Sequence, residues 1–111
     1  MEPSILKTIK RMLGLDPEDE TFDVDILVLI NAALMSLQQL GVGPAEGFSV
    51  TSANELWSDF MTDDRLYQGI REYIYLKVRL VFDPPSSSSV ADALKKNLDE
   101  LEWRLIVQTG A

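Results

Sequence analysis

Apolar side chains recur every three or four residues along most of this chain, which is the spacing that one face of an α-helix presents. A first helix is predicted over residues 4–13, with Lys7, Lys10 and Arg11 facing away from its apolar stripe. Gly14 is expected to end it, since glycine suits the turn that follows a helix. The stripe itself consists of Ile5, Leu6, Ile9, Met12 and Leu13.

A second, longer helix is predicted to begin between Thr21 and Asp25 and to end near Leu40, because Gly41 follows. Its apolar residues spread over more than one face, which indicates burial on more than one side. They are Ile26, Leu27, Val28, Leu29, Ile30, Ala33, Leu34, Met35 and Leu37. The next segment, 41–51, is too rich in glycine and proline for a regular element, and we expect a loop there that moves or inserts.

Two serine-led patterns predict further helices. Ser52 and Glu55 have the spacing of a capping box, which predicts a short third helix containing Trp57. Ser89 is expected to cap a fifth helix, after the two prolines that follow Asp83 stop the preceding segment. The apolar stripe of the fifth helix consists of Val90, Leu94, Leu98, Leu101 and Leu105.

The most apolar segment is 73–82, and two structures compete for it. Its residues continue a helical spacing, but the alternation from Ile74 to Phe82 would also suit a strand. A fourth helix capped by Asp63 and Asp64 is predicted, because the preceding register is helical and a partner strand is lacking. Since apolar side chains occupy every face, either the rest of the chain or other copies of it must cover this helix.

These elements predict an all-α fold, with a single compact domain over residues 1–111, about five helices and a longer loop between the second and third. The chain contains no cysteine and no histidine, which excludes disulfides and thiolate metal sites and removes the usual general base. No apolar run approaches the roughly 20 residues of a membrane span, and the N-terminus lacks a signal-peptide pattern. We therefore expect an intracellularly made protein with no membrane partner.

The net charge of −8 is unevenly distributed. Residues 16–25 carry −6 and residues 46–64 carry −5, whereas residues 65–82 carry +3. Tight nucleic-acid binding relies on Lys and Arg side chains that neutralise phosphates, so this balance argues against it.

Candidate catalytic and metal chemistry is sparse. A calcium loop starting at Asp19 would need glycine where Val24 stands and glutamate where Ile30 stands. Carboxylates between 59 and 72 could do acid–base work, but no nucleophile or phosphate-binding loop accompanies them. We expect no catalytic residue, no metal and no cofactor.

Several bulky side chains leave two interpretations open. Lys77 and Arg79 either extend along apolar surface to water or pair with acidic groups of a neighbouring subunit. Trp57 and Trp103 are expected in the core, with an interface anchor as the alternative. Phe48, near the end of the long loop, packs either on its own core or on a neighbour.

Three stretches then carry a family resemblance. They are Leu40-Gly-Val-Gly-Pro44 with Gly47-Phe-Ser-Val50, Trp57-Ser-Asp-Phe60, and Tyr73-Ile-Tyr-Leu-Lys-Val-Arg-Leu-Val-Phe-Asp-Pro-Pro85 with Glu102-Trp-Arg104 downstream. In their order and spacing the chain resembles the head–tail connector proteins of long-tailed bacteriophages and related prophages, also called adaptor or DNA-packaging proteins. The resemblance covers nearly the whole chain. It implies a structural virion protein at the head–tail junction, made in the cytoplasm of a bacterial host.

The resemblance also implies a homo-oligomeric ring, commonly of about twelve subunits, between the portal protein and a stopper (head-completion) or tail protein. Genome DNA would pass through it without sequence-specific binding, and no catalysis or cofactor is implied. An acidic excess suits such a channel, because like charge discourages adhesion. Candidate channel-facing residues are Asp16, Glu18, Asp19 and Glu20. Candidate subunit or partner interface residues are Val42, Phe48, Val50, Trp57, Tyr75, Lys77, Arg79, Trp103 and Arg104.

The main alternative is a monomeric, acidic helical module that binds or regulates a partner protein. The size of the assembled species separates the two functions. A connector is expected to form ring-sized particles at high concentration or beside the portal protein. A strict monomer that ignores the portal would favour the alternative.

Overall fold

The computed structural model describes residues 4–61 and 64–109 of the chain. These residues form five α-helices and no strand, apart from an isolated bridge between Ser4 and Leu56. The all-α prediction is confirmed, and the competition over 73–82 is decided in favour of a helix. The helices are α1 (Ile5–Met12), α2 (Asp23–Gln39), α3 (Trp57–Phe60), α4 (Asp64–Phe82) and α5 (Ser88–Thr109).

The central helix of the fold is α4. Because α1, α2 and α5 all pack against it, Tyr73, Ile74, Leu76 and Val78 are buried. Val81, near its C-terminal end, stays exposed. The chain itself therefore covers most of the segment whose apolar side chains occupy every face.

Tyr73 joins two helices in the middle of this core. Its hydroxyl donates a hydrogen bond to Glu102 Oε1 on α5 at 2.9 Å. Burial, followed by the bond to Glu102, raises the pKa of Tyr73 well above its usual range. The hydroxyl therefore stays protonated and links α4 to α5.

Local signals explain where α1 begins and ends. Ser4 caps the helix, because its Oγ accepts a hydrogen bond from the Lys7 N–H at 3.2 Å. Gly14 follows the helix with φ at 82°, a backbone conformation that glycine adopts without steric cost. The predicted limits of α1 and α2 agree closely with those observed.

The start predicted for α3 is wrong. Ser52 and Glu55 do bond to each other, with the Ser52 N–H donating to Glu55 Oε1 at 3.1 Å, but they close a turn rather than open a helix. The helix begins later because the Asp59 carboxylate accepts a hydrogen bond from the Leu56 N–H at 2.9 Å. The Asp59 carboxylate therefore caps the first turn of α3 from inside the helix, and the helix begins about one turn later than a cap at Ser52 would place it.

The start predicted for α5 is also slightly wrong. Ser87 rather than Ser89 caps this helix, since its Oγ accepts from the Val90 N–H and its carbonyl accepts from the Ala91 N–H. Of the two aspartates expected to cap α4, Asp63 lies outside the described residues.

Candidate functional site

The long loop between α2 and α3 is fastened to the core. The Asn31 amide on α2 makes two hydrogen bonds to Val50, donating to its carbonyl at 3.0 Å and accepting from its N–H at 2.8 Å. The Gln38 amide donates to the Ala45 carbonyl at 3.0 Å. Val42 and Val50 are buried. The loop is therefore held along α2 in the single chain, and the expectation that it moves or inserts stays a prediction.

Two contacts on α3 close the other side of this loop. Phe48 packs edge-on against Phe60, with ring centroids 5.3 Å apart. Gly43 has φ at 92°, and a Cβ added there would lie 2.6 Å from the Phe60 ring. Glycine is needed at this position for the backbone conformation and for the space. Phe48 is half-buried and packs on its own core, which is one of its two expected positions.

Trp57 is a core residue, as expected. It is 2 % exposed, and its Nε1–H donates to Thr8 Oγ1 at 2.9 Å. Its ring also packs edge-on against Tyr67 at 5.3 Å. With Val42 and Val50 it belongs to the interior of the single chain, so the assembly surface proposed below does not use these three residues.

Lys77 and Arg79 contact tyrosines of their own helix. The Lys77 ammonium lies 5.8 Å from the centre of the Tyr73 ring, and the Arg79 guanidinium donates to the Tyr75 hydroxyl at 3.1 Å. Within the described residues neither cation forms an ion pair. All three of Tyr75, Lys77 and Arg79 are half-buried, which leaves part of each on the surface of α4.

The acidic turn, which we define as residues 16–22, is anchored from beneath by a buried lysine. Lys10 is 1 % exposed, and its ammonium donates to the Pro17 carbonyl at 2.9 Å and pairs with Asp23 Oδ1 at 2.8 Å. Lys7 adds an exposed pair to Glu18 at 3.4 Å. The prediction that Lys10 faces away from the core is therefore wrong, because Asp23, at the start of α2, lies close enough to pair with it.

Local hydrogen bonds fix the shape of the acidic turn. Asp16 Oδ1 accepts from the Glu18 N–H at 2.9 Å, and Asp19 Oδ1 accepts from the Thr21 N–H at 3.0 Å. The Thr21 hydroxyl, then its N–H, lowers the pKa of Asp19. The four candidate channel residues, Asp16, Glu18, Asp19 and Glu20, are all exposed. The acidic turn thus presents exposed negative charge on a backbone whose conformation is fixed by hydrogen bonds.

The outward side of α2 carries apolar side chains in water. Val24, Val28 and Met35 are 76 %, 63 % and 62 % exposed. Their separations of four and seven residues place them on one line along the helix, and the exposed Ala32 lies beside it. We call this line the α2 outer face; Asp25, at its edge, is the nearest charged residue of the helix. The prediction that α2 is buried on more than one side is therefore wrong for this face, which is exposed in the single chain.

The outward side of α5 is different. Trp103 is 66 % exposed and Val107 is 56 % exposed. They are four residues apart, so Val107 lies one helical turn after Trp103 on the same side of α5. Glu100, seven residues before Val107, and Lys96, seven residues before Trp103, lie on the same line, which we call the α5 outer face. Arg104 is adjacent and pairs with Glu100 in the preceding turn. Trp103 is not a core residue, so that prediction is wrong.

A groove of about 380 Å³ adjoins the α2 outer face where α2 meets the end of α4. At this junction Phe22 and Phe82 pack edge-on at 5.4 Å. The groove is lined by Asp25, Val28, Leu29, Val81 and Phe82.

No three acidic side chains converge in the described residues in a way that could hold a metal ion.

Sequence reasoning did not select Val24, Val28, Met35, Lys96 or Val107 as surface residues. A signal for Val28 and Met35 was present, because α2 is apolar on more sides than one neighbouring helix can cover. It was interpreted as burial. For Val107 the four-residue spacing from Trp103 was available as a signal.

A model of the family described as phage connector protein matches residues 5–111 of this chain. The chain belongs to the phage connector protein family. This connector has no match among the curated proteins searched and none among the solved structures searched. Membership gives the chain a general role as a head–tail connector of a phage, as a structural component that contacts other virion components. No helix in the described residues has the length and apolar character to cross a membrane.

Proposed function

We propose that this connector forms a ring between the portal protein and a stopper or tail protein, and that the ring extends the channel for genome DNA. The observation that carries the proposal is the α2 outer face, a line of apolar side chains left in water on a strongly acidic chain. Three exposed large apolar residues in one line indicate a protein contact surface. Family membership makes virion proteins, including further copies of the connector, the expected partners.

The acidic turn supports the channel part of the proposal. Its four carboxylates are exposed and its backbone is held by Lys10, so the negative charge has a fixed position. A polyanion such as DNA is repelled by such a surface and can slide past without sequence-specific binding. We place this turn toward the bore of the ring.

The remaining interface candidates are those with exposed atoms. Half-buried side chains on α4 and in the loop between α2 and α3, together with the exposed end of α5, are available to a portal or stopper protein without opening the core. Aromatic and arginine side chains are enriched among the residues that dominate such contacts. These candidates are Phe48, Tyr75, Lys77, Arg79, Trp103 and Arg104.

The ring is tested by native mass spectrometry and electron microscopy of the connector alone and with the portal protein. We expect particles of about twelve connector copies, at high concentration or on the portal. A monomer at every concentration that also ignores the portal would contradict the proposal. It would favour the acidic, monomeric binding module instead.

The bore is tested by neutralising the acidic turn. Rings of the variant Asp16→Asn, Glu18→Gln, Asp19→Asn, Glu20→Gln should retain double-stranded DNA more strongly at low salt than wild-type rings do. A matched control removes four exposed acids elsewhere, with Glu46→Gln, Asp83→Asn, Asp92→Asn and Asp99→Asn. If both variants retain DNA equally, or if Lys and Arg line the bore, the acidic turn does not face the DNA.

A further inference from the structure

The α2 and α5 outer faces have the same spacing when one of them is read backwards. Along α2, Val28 follows Val24 by four residues and Met35 follows Val28 by seven. On α5, read from its C-terminal end, Trp103 lies four residues before Val107, and Lys96 seven before Trp103. Each line therefore spans three helical turns, or about 16 Å.

Charges at the edges of the two faces are complementary in the same arrangement. Asp25 directly follows Val24, and Arg104 directly follows Trp103. When two helices pack face to face and antiparallel, the residue after each contact position falls at the same edge of both helices. With Val24 level with Val107, the Cα atoms of Asp25 and Arg104 differ in height by only about 3 Å. Arg104, which also pairs with Glu100 on its own helix, can then reach Asp25 across the contact, so that one guanidinium faces both carboxylates.

We propose that the α2 outer face of one connector subunit packs antiparallel against the α5 outer face of the next subunit. This inference rests on the proposed ring and names the contact that builds it. The apolar stem of Lys96 covers Met35 while its ammonium reaches water. The remaining pairs are Val24 with Val107, Val28 with Trp103, and Asp25 with Arg104.

The two faces differ in composition, so their contact is head-to-tail. Each copy offers its α2 face to one neighbour and its α5 face to the other, and such contacts close into a ring when the rotation per copy allows it. Both helices pack on α4 rather than mainly on each other, so one copy can present the two faces at once. This arrangement accounts for the exposure of both lines in the single chain.

Cysteine cross-linking tests the central pair, because the wild-type chain has no cysteine. Val28→Cys and Trp103→Cys are made as separate variants, mixed in equal amounts under the conditions in which wild-type rings form, and oxidised mildly. A disulfide needs the two Cα atoms within about 7 Å, so only a close contact links them. The control mixes Val28→Cys with Ser58→Cys, which places a thiol on the exposed side of α3.

We expect the mixed dimer of the first pair to form at least about tenfold faster than that of the control pair, because the contact raises the local concentration of the thiols. Charge exchange supplies a second readout. Asp25→Arg and Arg104→Asp should each weaken ring formation, and the two changes in one chain should restore it. Val28→Glu should lower the fraction of rings about tenfold or more, whereas Ser58→Glu should not.

The outcomes separate this contact from the ring itself. If wild-type rings form but the first pair cross-links no faster than the control, the contact is wrong and the ring stands. If the first pair cross-links but only closed two-copy species are found, the contact stands and the ring is wrong. Neither cross-link nor ring, even with the portal protein, contradicts both.

Discussion

The two tryptophans of this connector lie in regions that use apolar surface in opposite ways. Trp57 belongs to an anchored region, formed by α1, the acidic turn and residues 50–57, in which buried polar groups find partners inside the chain. Trp103 belongs to the outer faces, where apolar groups remain in water. One region therefore supplies the stability of the single chain, and the other supplies its contacts in the proposed ring. Variants in the two regions should therefore change different measurements.

The largest expected effect comes from exchanging the two tryptophans for alanine. Trp57→Ala should lower the free energy of unfolding by about 3–5 kcal/mol, because it leaves a cavity and removes the indole hydrogen bond to Thr8. Trp103→Ala should change it by less than about 0.5 kcal/mol, since the side chain is exposed. Chemical denaturation measures both. The same Trp103→Ala protein should lose ring formation, and similar stability losses for both variants would break the comparison.

A smaller effect is expected from two lysines of α1. Lys10→Met should cost about 2 kcal/mol, because it removes the partner of Asp23 and of the Pro17 carbonyl. Lys7→Met should cost less than about 1 kcal/mol, because its pair with Glu18 is exposed. Hydrogen exchange should show faster opening of the acidic turn in the first variant alone. Equal costs would mean that Lys10 does not anchor the turn.

Two tyrosines sharpen the comparison within α4. Tyr73→Phe should cost about 1 kcal/mol, because it removes the hydrogen bond to Glu102 that links α4 to α5. Tyr67→Phe should be neutral or slightly stabilising, because the buried Tyr67 hydroxyl finds no hydrogen-bond partner among the described residues. Thermal and chemical unfolding measure the pair. A larger loss of stability for Tyr67→Phe than for Tyr73→Phe would contradict this, because it would mean that the Tyr67 hydroxyl makes a stabilising hydrogen bond.

The smallest effect concerns acid and the turn that closes the anchored region. The Thr51 hydroxyl, at 2.7 Å, is the main cause that lowers the pKa of Glu55 to about 2, from 4.5. A carboxyl whose pKa is depressed by folding stabilises the fold fully above its unfolded value, and this stabilisation is lost as the pH falls through the folded one. The stabilisation by Glu55 is thus lost as the pH falls from about 4.5 to about 2.

Nuclear magnetic resonance titration of the Glu55 carboxyl tests this directly. Thr51→Ala should raise the pKa of Glu55 toward 4.5, because the main donor is removed. It should also make the stability of the variant less dependent on pH within that window. A Glu55 that already titrates near 4.5 in the wild-type chain would contradict the prediction.

Helix positions could be predicted because their signals are local. The spacing of apolar residues and the glycine after α1 and α2 lie within a few residues of the helix ends that they define. The choice of helix for 73–82 rested on the register of the preceding residues, and it was right for the same reason. The serine caps failed because Ser52 and Ser89 each had a nearby competitor, Asp59 within the first turn of α3 and Ser87 before α5.

Side-chain burial was harder to predict, because it depends on partners that are distant in sequence. Lys10 was placed outside because it is charged, but Asp23 returns to it after the acidic turn. Trp103 was placed inside because it is aromatic, but α4 covers only one side of α5. For the α2 outer face the sequence showed too much apolar surface, and only the packing of the other helices identifies the side that stays uncovered.

The depth of Lys10 has a consequence for the response of the connector to ionic strength. Mobile ions shorten the reach of the exposed carboxylates, to about 8 Å at physiological salt, but they do not enter the buried ion pair that holds the turn. Added salt therefore weakens the repulsion of a nearby polyanion while the backbone that carries the charges keeps its conformation. In the proposed ring, the friction on passing DNA would then depend on the surrounding electrolyte, with no structural rearrangement of the subunit.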